Sequence, residues 1–374
     1  MMIQLFAKDS QPPLPFRPLG EGLEWLGRKM VLLTSTELAA KKSFADYLRL
    51  ALSAPGAFLR LLASLDKPYL QIERPEASAR QEEPPKRELR VLTLNAACLP
   101  SWITTKFNNL RASEVRAKEI ADTIMQHHAE YDVICLQEVF SDSACDIFLQ
   151  TLKSRYGWSV HHAGEPYIGF NSGLCLFSKF PIEKADFQKY SGLVGEDAFT
   201  NKGFLSADIR AFGQTVRVYT THTQAGGYPE FLKKSWLWGS AAERRKSHFA
   251  AFEKHMQTAQ TDTVIVTGDF NLDLLSEDDK KKNADSFFTH FQPFRPETSI
   301  GTSLTDSYLK THNVTKHVRQ PNDPHLPTKE RVIDGLLVTN GSKAKPLHVR
   351  VEEIFTNSSD HLAITSTFTL TPNS

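Results

Sequence analysis

Apolar residues recur along this chain at two different spacings, and the change from one to the other divides it. Phe44, Tyr47, Leu48, Ala51 and Leu52 follow a helical spacing, and after Pro55 so do Phe58, Leu61, Leu62 and Leu65. This pattern predicts two amphipathic helices broken at the proline. Residues 71–90, QIERPEASARQEEPPKRELR, are charge and proline with almost no apolar anchor and read as a linker. Beyond residue 90 the texture turns to short β-rich runs: LRVLTLN, YDVICLQE, SGLCLFS, TVRVYTTH, DTVIVTGDFN, VIDGLLV and DHLAITSTF. Helical stretches are expected around residues 111–127 and 241–258, and the mixture predicts an α/β sandwich. The chain accordingly divides into an N-terminal helical segment with linker over residues 1–85 and a main domain over residues 86–374.

Composition narrows the class. A chain of 374 residues with 40% hydrophobic and 23% charged residues, 19 Gly and 20 Pro is globular and long enough for one large domain with an appendage. Its 44 basic and 43 acidic residues leave +1, without the basic excess expected of a nucleic-acid binder. The four cysteines, Cys98, Cys135, Cys145 and Cys175, share no CxxC spacing. They read as reduced, buried thiols of a cytoplasmic protein, with no zinc signature. The first 30 residues interleave Lys8, Asp9 and Arg17 with four prolines and hold no secretory core, and no run approaches the ~18 apolar residues of a spanning helix.

Several β-rich runs end on a polar residue that breaks the apolar pattern. Asn95 follows LRVLTL, Glu138 follows DVICLQ, His222 follows VRVYTT, and Asp269 with Asn271 follows TVIVTG. A single such residue is most often a cap or turn; five in one chain favour a shared rim where strand ends collect. Glu138 and Asn95 are hard oxygen ligands suited to Mg²⁺, which commonly keeps waters and binds a substrate phosphate. His361 beside Asp360 is a candidate base, because a carboxylate partner raises imidazole basicity and fixes its orientation.

LNAACLP, ICLQEVF, NSGLCLFSKFPI, DAFTNKG, THTQA, TGDFNLDLLSEDDK, IGTSLTD, RVIDGLLV and SSDHLAI, in this order, resemble the endonuclease/exonuclease/phosphatase superfamily over roughly residues 89–370. Within it the set is most similar to the neutral sphingomyelinases, and to their type-2 branch. The resemblance implies a four-layered, DNase I-like α/β sandwich behind the N-terminal amphipathic helices. It implies a Mg²⁺ enzyme, with Mn²⁺ able to substitute, that hydrolyses sphingomyelin to ceramide and phosphocholine. Another phosphodiesterase or phosphatase of the superfamily, acting on lysophospholipids, phosphoinositides or nucleic acid, remains the alternative.

By the same resemblance Glu138 holds the metal with help from Asn95, while Asp269 and Asn271 position the attacking water and the phosphate. His361, oriented by Asp360, acts as base, and His222 contacts the phosphate or protonates the leaving alkoxide. Asp334 supports the site through a hydrogen bond. Asp197 and Lys202 have the spacing of a switch pair whose lysine stabilises phosphate charge. The partner expected is a sphingomyelin-containing membrane with anionic lipid such as phosphatidylserine, and no nucleic acid. Residues 1–70 carry nine basic and six acidic side chains, an excess compatible with peripheral attachment at a cytoplasmic surface. Phe58, Leu61 and Leu62 on the second helix, and Trp236 and Trp238 in the aromatic, lysine-flanked stretch after Gly227, are the candidate lipid contacts.

Overall fold

The computed structural model describes residues 70–75, 87–100, 110–164, 170–194, 197, 200–226, 240–292, 296–297 and 332–371. Phe58, Leu61, Leu62, Trp236 and Trp238 lie outside them. No described helix is long and apolar enough to cross a membrane.

Thirteen described strands form two sheets. In chain order they are β1 (Gln71–Glu73), β2 (Glu88–Cys98), β3 (Val133–Val139), β4 (Trp158–His161), β5 (Cys175–Ser178), β6 (Ile182–Lys189), β7 (Gly203–Ala211), β8 (Gln214–His222), β9 (Val264–Asp269), β10 (Pro296–Glu297), β11 (Asp334–Val338), β12 (Ala344–Glu352) and β13 (Ala363–Leu370). Four helices accompany them: α1 (Ser113–Gln126), α2 (Asp142–Leu152), α3 (Ala241–Met256) and α4 (Glu277–Ala284). The larger sheet runs β1-β4-β5-β3-β2-β13-β12-β10 and the smaller β11-β9-β8-β7-β6. The larger sheet pairs β2 with β3 in parallel and the smaller β8 with β9, joined through α1 and α3 respectively, and the two-residue β10 also runs parallel to β12 at the edge of the larger sheet.

Burial follows from strand composition. The paired central strands β3 (VICLQEV) and β9 (VIVTGD) are apolar almost throughout and buried almost throughout, as expected of strands covered on both faces. Strand β6 (IEKADFQK) alternates buried and exposed residues, as an edge must. One core lies between the sheets, including Val91, Cys135, Leu205, Val218 and Ile265. A second packs α1 and α2 on the outer face of the larger sheet through Ile120, Ile124, Phe148, Leu94 and Leu136. A third packs α3 on the smaller sheet through Phe249, Phe252, Tyr219 and Val266. Helix, sheet, sheet and helix are the four layers the sequence predicts. Helices α2, α3 and α4 begin where Ser141, Ser240 and Ser276 accept from the backbone N–H three residues on, which satisfies one of the orphan donors of the first turn.

The N-terminal boundary needs correction. Residues 71–73, read as linker, form β1 and pair antiparallel with β4. Leu70 and Ile72 pack on the inter-sheet core, and a single apolar residue between two polar ones is enough for a three-residue edge strand. The domain therefore begins before residue 86.

Strand β9 approaches β8 closely just before Asp269. Gly268 has φ +135°, and a Cβ there would lie 2.0 Å from Thr221 O and 2.7 Å from Thr221 N. Both are backbone atoms that cannot rotate away. Gly268→Ala is expected to lower unfolding free energy by about 2 kcal/mol or more, from overpacking and a backbone conformation that L residues avoid; an unchanged midpoint in urea would show that β8 and β9 separate freely.

Candidate active site

The C-terminal ends of the β2–β3 and β8–β9 pairs meet at one rim. Thr93 and Asn95 on β2, like Cys135 and Gln137 on β3, alternate with residues that face the helices. Gln137 Nε2 donates to Thr93 Oγ1 at 3.0 Å and to Thr220 Oγ1 of β8 at 2.9 Å, a buried polar link between the sheets. Alternation assigns Glu138 to the helix side with Ile134 and Leu136. Its φ of 57° breaks the alternation, and its carboxylate instead meets Asn95 and His222. A non-glycine residue held in the left-handed region is costly and tends to sit at functional sites; Asn271, at φ 53°, is a second one.

Asn95 joins the sheets at this point. Its Nδ2 donates to Glu138 Oε1 at 2.9 Å and to Asp269 Oδ2 at 3.0 Å. Its Oδ1 accepts from Ala97 N at 3.0 Å, so Asn95 reaches the carboxylates through its NH₂ group. Strand register sets His222 beside Asp269, with His222 Nε2 3.5 Å from Asp269 Oδ2 and 3.7 Å from Glu138 Oε1. Asn271 donates its N–H to Asp269 Oδ1 at 2.9 Å and its Nδ2 to Thr223 O at 3.1 Å.

His361 stands on the other side of Asp269, and its partner differs from the one expected. Its Nδ1 is 2.7 Å from Asp334 Oδ2, so Asp334, and not the chain neighbour Asp360, orients the ring. Antiparallel pairing of β11 with β9 places Asp334 opposite Asp269. Peptide adjacency brings Asp360 close to the ring without bringing it into line with Nδ1. Both charges act on the imidazole: burial alone would lower its pKa, but Asp334, with Asp360 and Asp269 behind it, pushes it up to about 10. His222 shows the opposite behaviour. Burial, with Lys202 and His361 adding like charge, holds it well below the ordinary histidine value. The carboxylates at 3.5 and 3.7 Å lie beyond hydrogen-bond reach and do not offset that shift. The electrostatics of the chain alone thus favour the protonated form of His361 and the neutral form of His222.

Glu138 is raised above the ordinary carboxylate value by burial and by Asp360, against the opposing pull of Lys202, Asn95 and His361. Its side chain is 20% exposed where those of Asp269 and His222 are 2%, so solvent reaches the group at Glu138. Lys202 Nζ pairs with Asp197 Oδ1 at 2.7 Å, both side chains buried. Asp197 Oδ2 also accepts from Gln224 Nε2 at 2.8 Å and Ala225 N at 2.6 Å. The two residues proposed as a switch are therefore joined here, and Lys202 reaches Thr223 O, the carbonyl that Asn271 also engages.

Arg116 was not among the expected residues. Fully buried on α1, its guanidinium donates to Ala96 O at 3.0 Å, Ala97 O at 2.6 Å and Ser358 O at 2.9 Å. It clamps the end of β2 to the loop that carries His361. Ser359 completes the clamp, donating from Oγ to Asn95 O at 2.5 Å and accepting from His361 N at 3.1 Å. In sequence Arg116 reads as one more basic residue of a helix; only its position on the same face as Ile120 and Ile124 hints at burial.

Glu138, His222 and Asp269 present donor atoms within 4.8 Å of one another. Two carboxylate oxygens at a solvent-reaching edge suit a hard divalent cation, and His222 faces them with Nε2 while its Nδ1 is buried with no hydrogen-bond partner among the described residues. The residues present fit a metal site, with Glu138 and Asp269 as its oxygen donors.

Known proteins resemble this chain in sequence and in fold. The chain is 29% identical to sphingomyelin phosphodiesterase 5 of Danio rerio over 214 residues, covering 49% of this chain and 37% of that protein. It is 28% identical to human sphingomyelin phosphodiesterase 3 over 218 residues, covering 51% and 32%. The matched region is thus about a third of the length of each. Sphingomyelinase C from Streptomyces griseocarneus superposes with a TM-score of 0.56 at 22% identity, covering 75% of this chain and 99% of the other. A Staphylococcus aureus beta toxin variant with bound magnesium ions superposes with a TM-score of 0.57 at 17% identity over 75% and 99%, a likeness of fold. Residues 92–361, from the middle of β2 to His361, match the endonuclease/exonuclease/phosphatase family, and the chain belongs to it.

Proposed function

We propose that this protein is a Mg²⁺-dependent neutral sphingomyelinase that hydrolyses sphingomyelin to ceramide and phosphocholine at a membrane surface. One observation carries the reading. A carboxylate pair fit for a hard cation, an Asp334–His361 dyad and a buried lysine converge on one rim, in a chain whose curated relatives include sphingomyelin phosphodiesterases. Mg²⁺ held by Glu138 and Asp269 would polarise the phosphoryl oxygens and offset the carboxylate field around His361. Everything else is supplied by the chain. Asn95 keeps the two carboxylates together despite their repulsion. The dyad moves a proton at His361 Nε2, the ring nitrogen left when Nδ1 engages Asp334. Lys202 places positive charge where the phosphate gains negative charge. His222, neutral, donates a hydrogen bond from a ring N–H and gives up no proton.

The lipid surface is part of the proposal. Phe58, Leu61, Leu62, Trp236 and Trp238 would enter the headgroup boundary of the cytoplasmic leaflet, with phosphatidylserine drawn to the basic N-terminal segment.

Phosphocholine release from vesicles of sphingomyelin and phosphatidylserine is the direct test. Release is expected with Mg²⁺, none with chelator, and a loss on the order of 10³-fold in His361→Ala. Release that persists in chelator and in Glu138→Gln overturns the assignment. A second expectation concerns pH. The folded-state pKa of His361 is raised from 6.5 to about 10, so the dyad stabilises the metal-free fold fully below pH 6.5 and loses that stabilisation as pH rises toward 10. Asp334→Asn should move the His361 imidazole resonances to titrate at lower pH and flatten this limb of the stability profile. Identical titration in wild type and variant would remove Asp334 from the dyad.

A further inference from the structure

A second cluster of metal-ligating side chains lies outside the rim. Cys145, on α2, faces the outer side of the larger sheet and is buried. On that side it meets Cys175, the first residue of β5, with the two Sγ atoms 3.9 Å apart. Strands β4 and β5 pair antiparallel with Val160 opposite Leu176; one step further sets His161 opposite Cys175. Val160 and Leu176 both face the inter-sheet core, so alternation turns His161 and Cys175 together toward α2.

His162 should then turn away, but it does not. Its φ of 51° breaks the alternation just beyond the strand, and its ring lies edge-on to His161 with centroids 4.9 Å apart. Cys145, His161 and His162 each present a ligand atom, all within 4.8 Å of one another. His161 is 2% exposed, and neither of its ring nitrogens has a hydrogen-bond partner among the described residues. Glu73 Oε1, 3.8 Å from His161 Nε2, is the carboxylate closest to forming one. A buried imidazole without hydrogen bonds is expensive unless something else engages it, and here a ring nitrogen lies within 4.8 Å of the Cys145 thiol.

We propose that Cys145, His161 and His162 hold a zinc ion that ties α2 to β4, and that Cys175, outside their 4.8 Å group but with its Sγ 3.9 Å from that of Cys145, turns its thiol onto the ion to complete a tetrahedral set and join β5 to the site. Two sulfurs and two imidazoles are a donor set zinc takes in structural sites. At a Zn–S bond of about 2.3 Å, tetrahedral geometry puts two sulfurs about 3.8 Å apart, against the 3.9 Å observed. The state of the groups is compatible: burial, with His162 beside it, lowers His161 to about 3 and keeps it a neutral ligand. Cys145 is held well above its ordinary value by the hydrogen bond with Cys175 and by burial, so zinc uptake must displace both thiol protons to solvent, forming two Zn–S and two Zn–N bonds with no change of oxidation state. Glu73 stands where ligating imidazoles commonly keep an outer carboxylate. The site does not depend on the phosphodiesterase reading.

Cobalt substitution tests it in the full-length chain, purified under reductant and loaded with Co²⁺. The expected result is about one equivalent showing intense tetrahedral visible bands and a thiolate charge-transfer band, both abolished by Zn²⁺. These bands should vanish in Cys145→Ser and in Cys175→Ser and persist in Glu138→Gln, since the rim offers no thiolate. A weak octahedral spectrum alone, lost in Glu138→Gln, overturns the proposal, and so does a Cys145–Cys175 disulfide in reduced, zinc-supplemented protein. Because the cysteine variants could misfold, the spectrum of the wild-type chain decides between these outcomes.

Discussion

Two carboxylates on different sheets are held together by one amide. Glu138 is the last residue but one of β3 and Asp269 ends β9, and Asn95 donates one hydrogen bond to each. Without that amide the buried carboxylate of Asp269 and the partly buried one of Glu138 would face each other across the sheet interface, where low polarisability strengthens repulsion. The rim depends on this contact, and much of the surrounding structure preserves it. Arg116 and Ser359 fix the backbone around Asn95, Gln137 fastens β3 to β8 one residue before Glu138, and Gly268 lets β9 approach β8 closely enough to deliver Asp269.

The charges that surround the rim are arranged in opposition. His361 is flanked by Asp334, Asp360 and Asp269 and holds its proton; His222 is flanked by Lys202 and His361 and does not. Two histidines of one rim are thereby shifted in opposite directions by environment alone. The Lys202–Asp197 pair keeps a buried cation available beside them without leaving it uncompensated.

The layered fold and the strand-end residues were legible in the sequence because the central strands are apolar almost without interruption. Against that background Asn95, Glu138, His222 and Asp269 stand out as single polar breaks. Other features depend on contacts that have no local signature. Asp334 reads as one acid in an apolar strand, and only the β11–β9 register shows that it, and not Asp360, meets His361. Strand β6 alternates charge with apolar residues and resembles a surface loop until its partner β7 is in place. Arg116 looks solvated until the end of β2 and the loop at Ser358 are folded onto it. Cys145 and Cys175, without a motif spacing, gave no hint of their proximity, because helix packing joined them across 30 positions.

The bond between Asn95 and Asp269 spans 174 positions of the chain. Contacts so distant in sequence are slow to form, since loop closure must precede any reward from pairing. Neither β2–α1–β3 nor β8–α3–β9 contains a workable half of the rim. The rim must therefore assemble late in folding, when the two sheets dock, so that a nascent or partly folded chain has no complete site to offer a ligand.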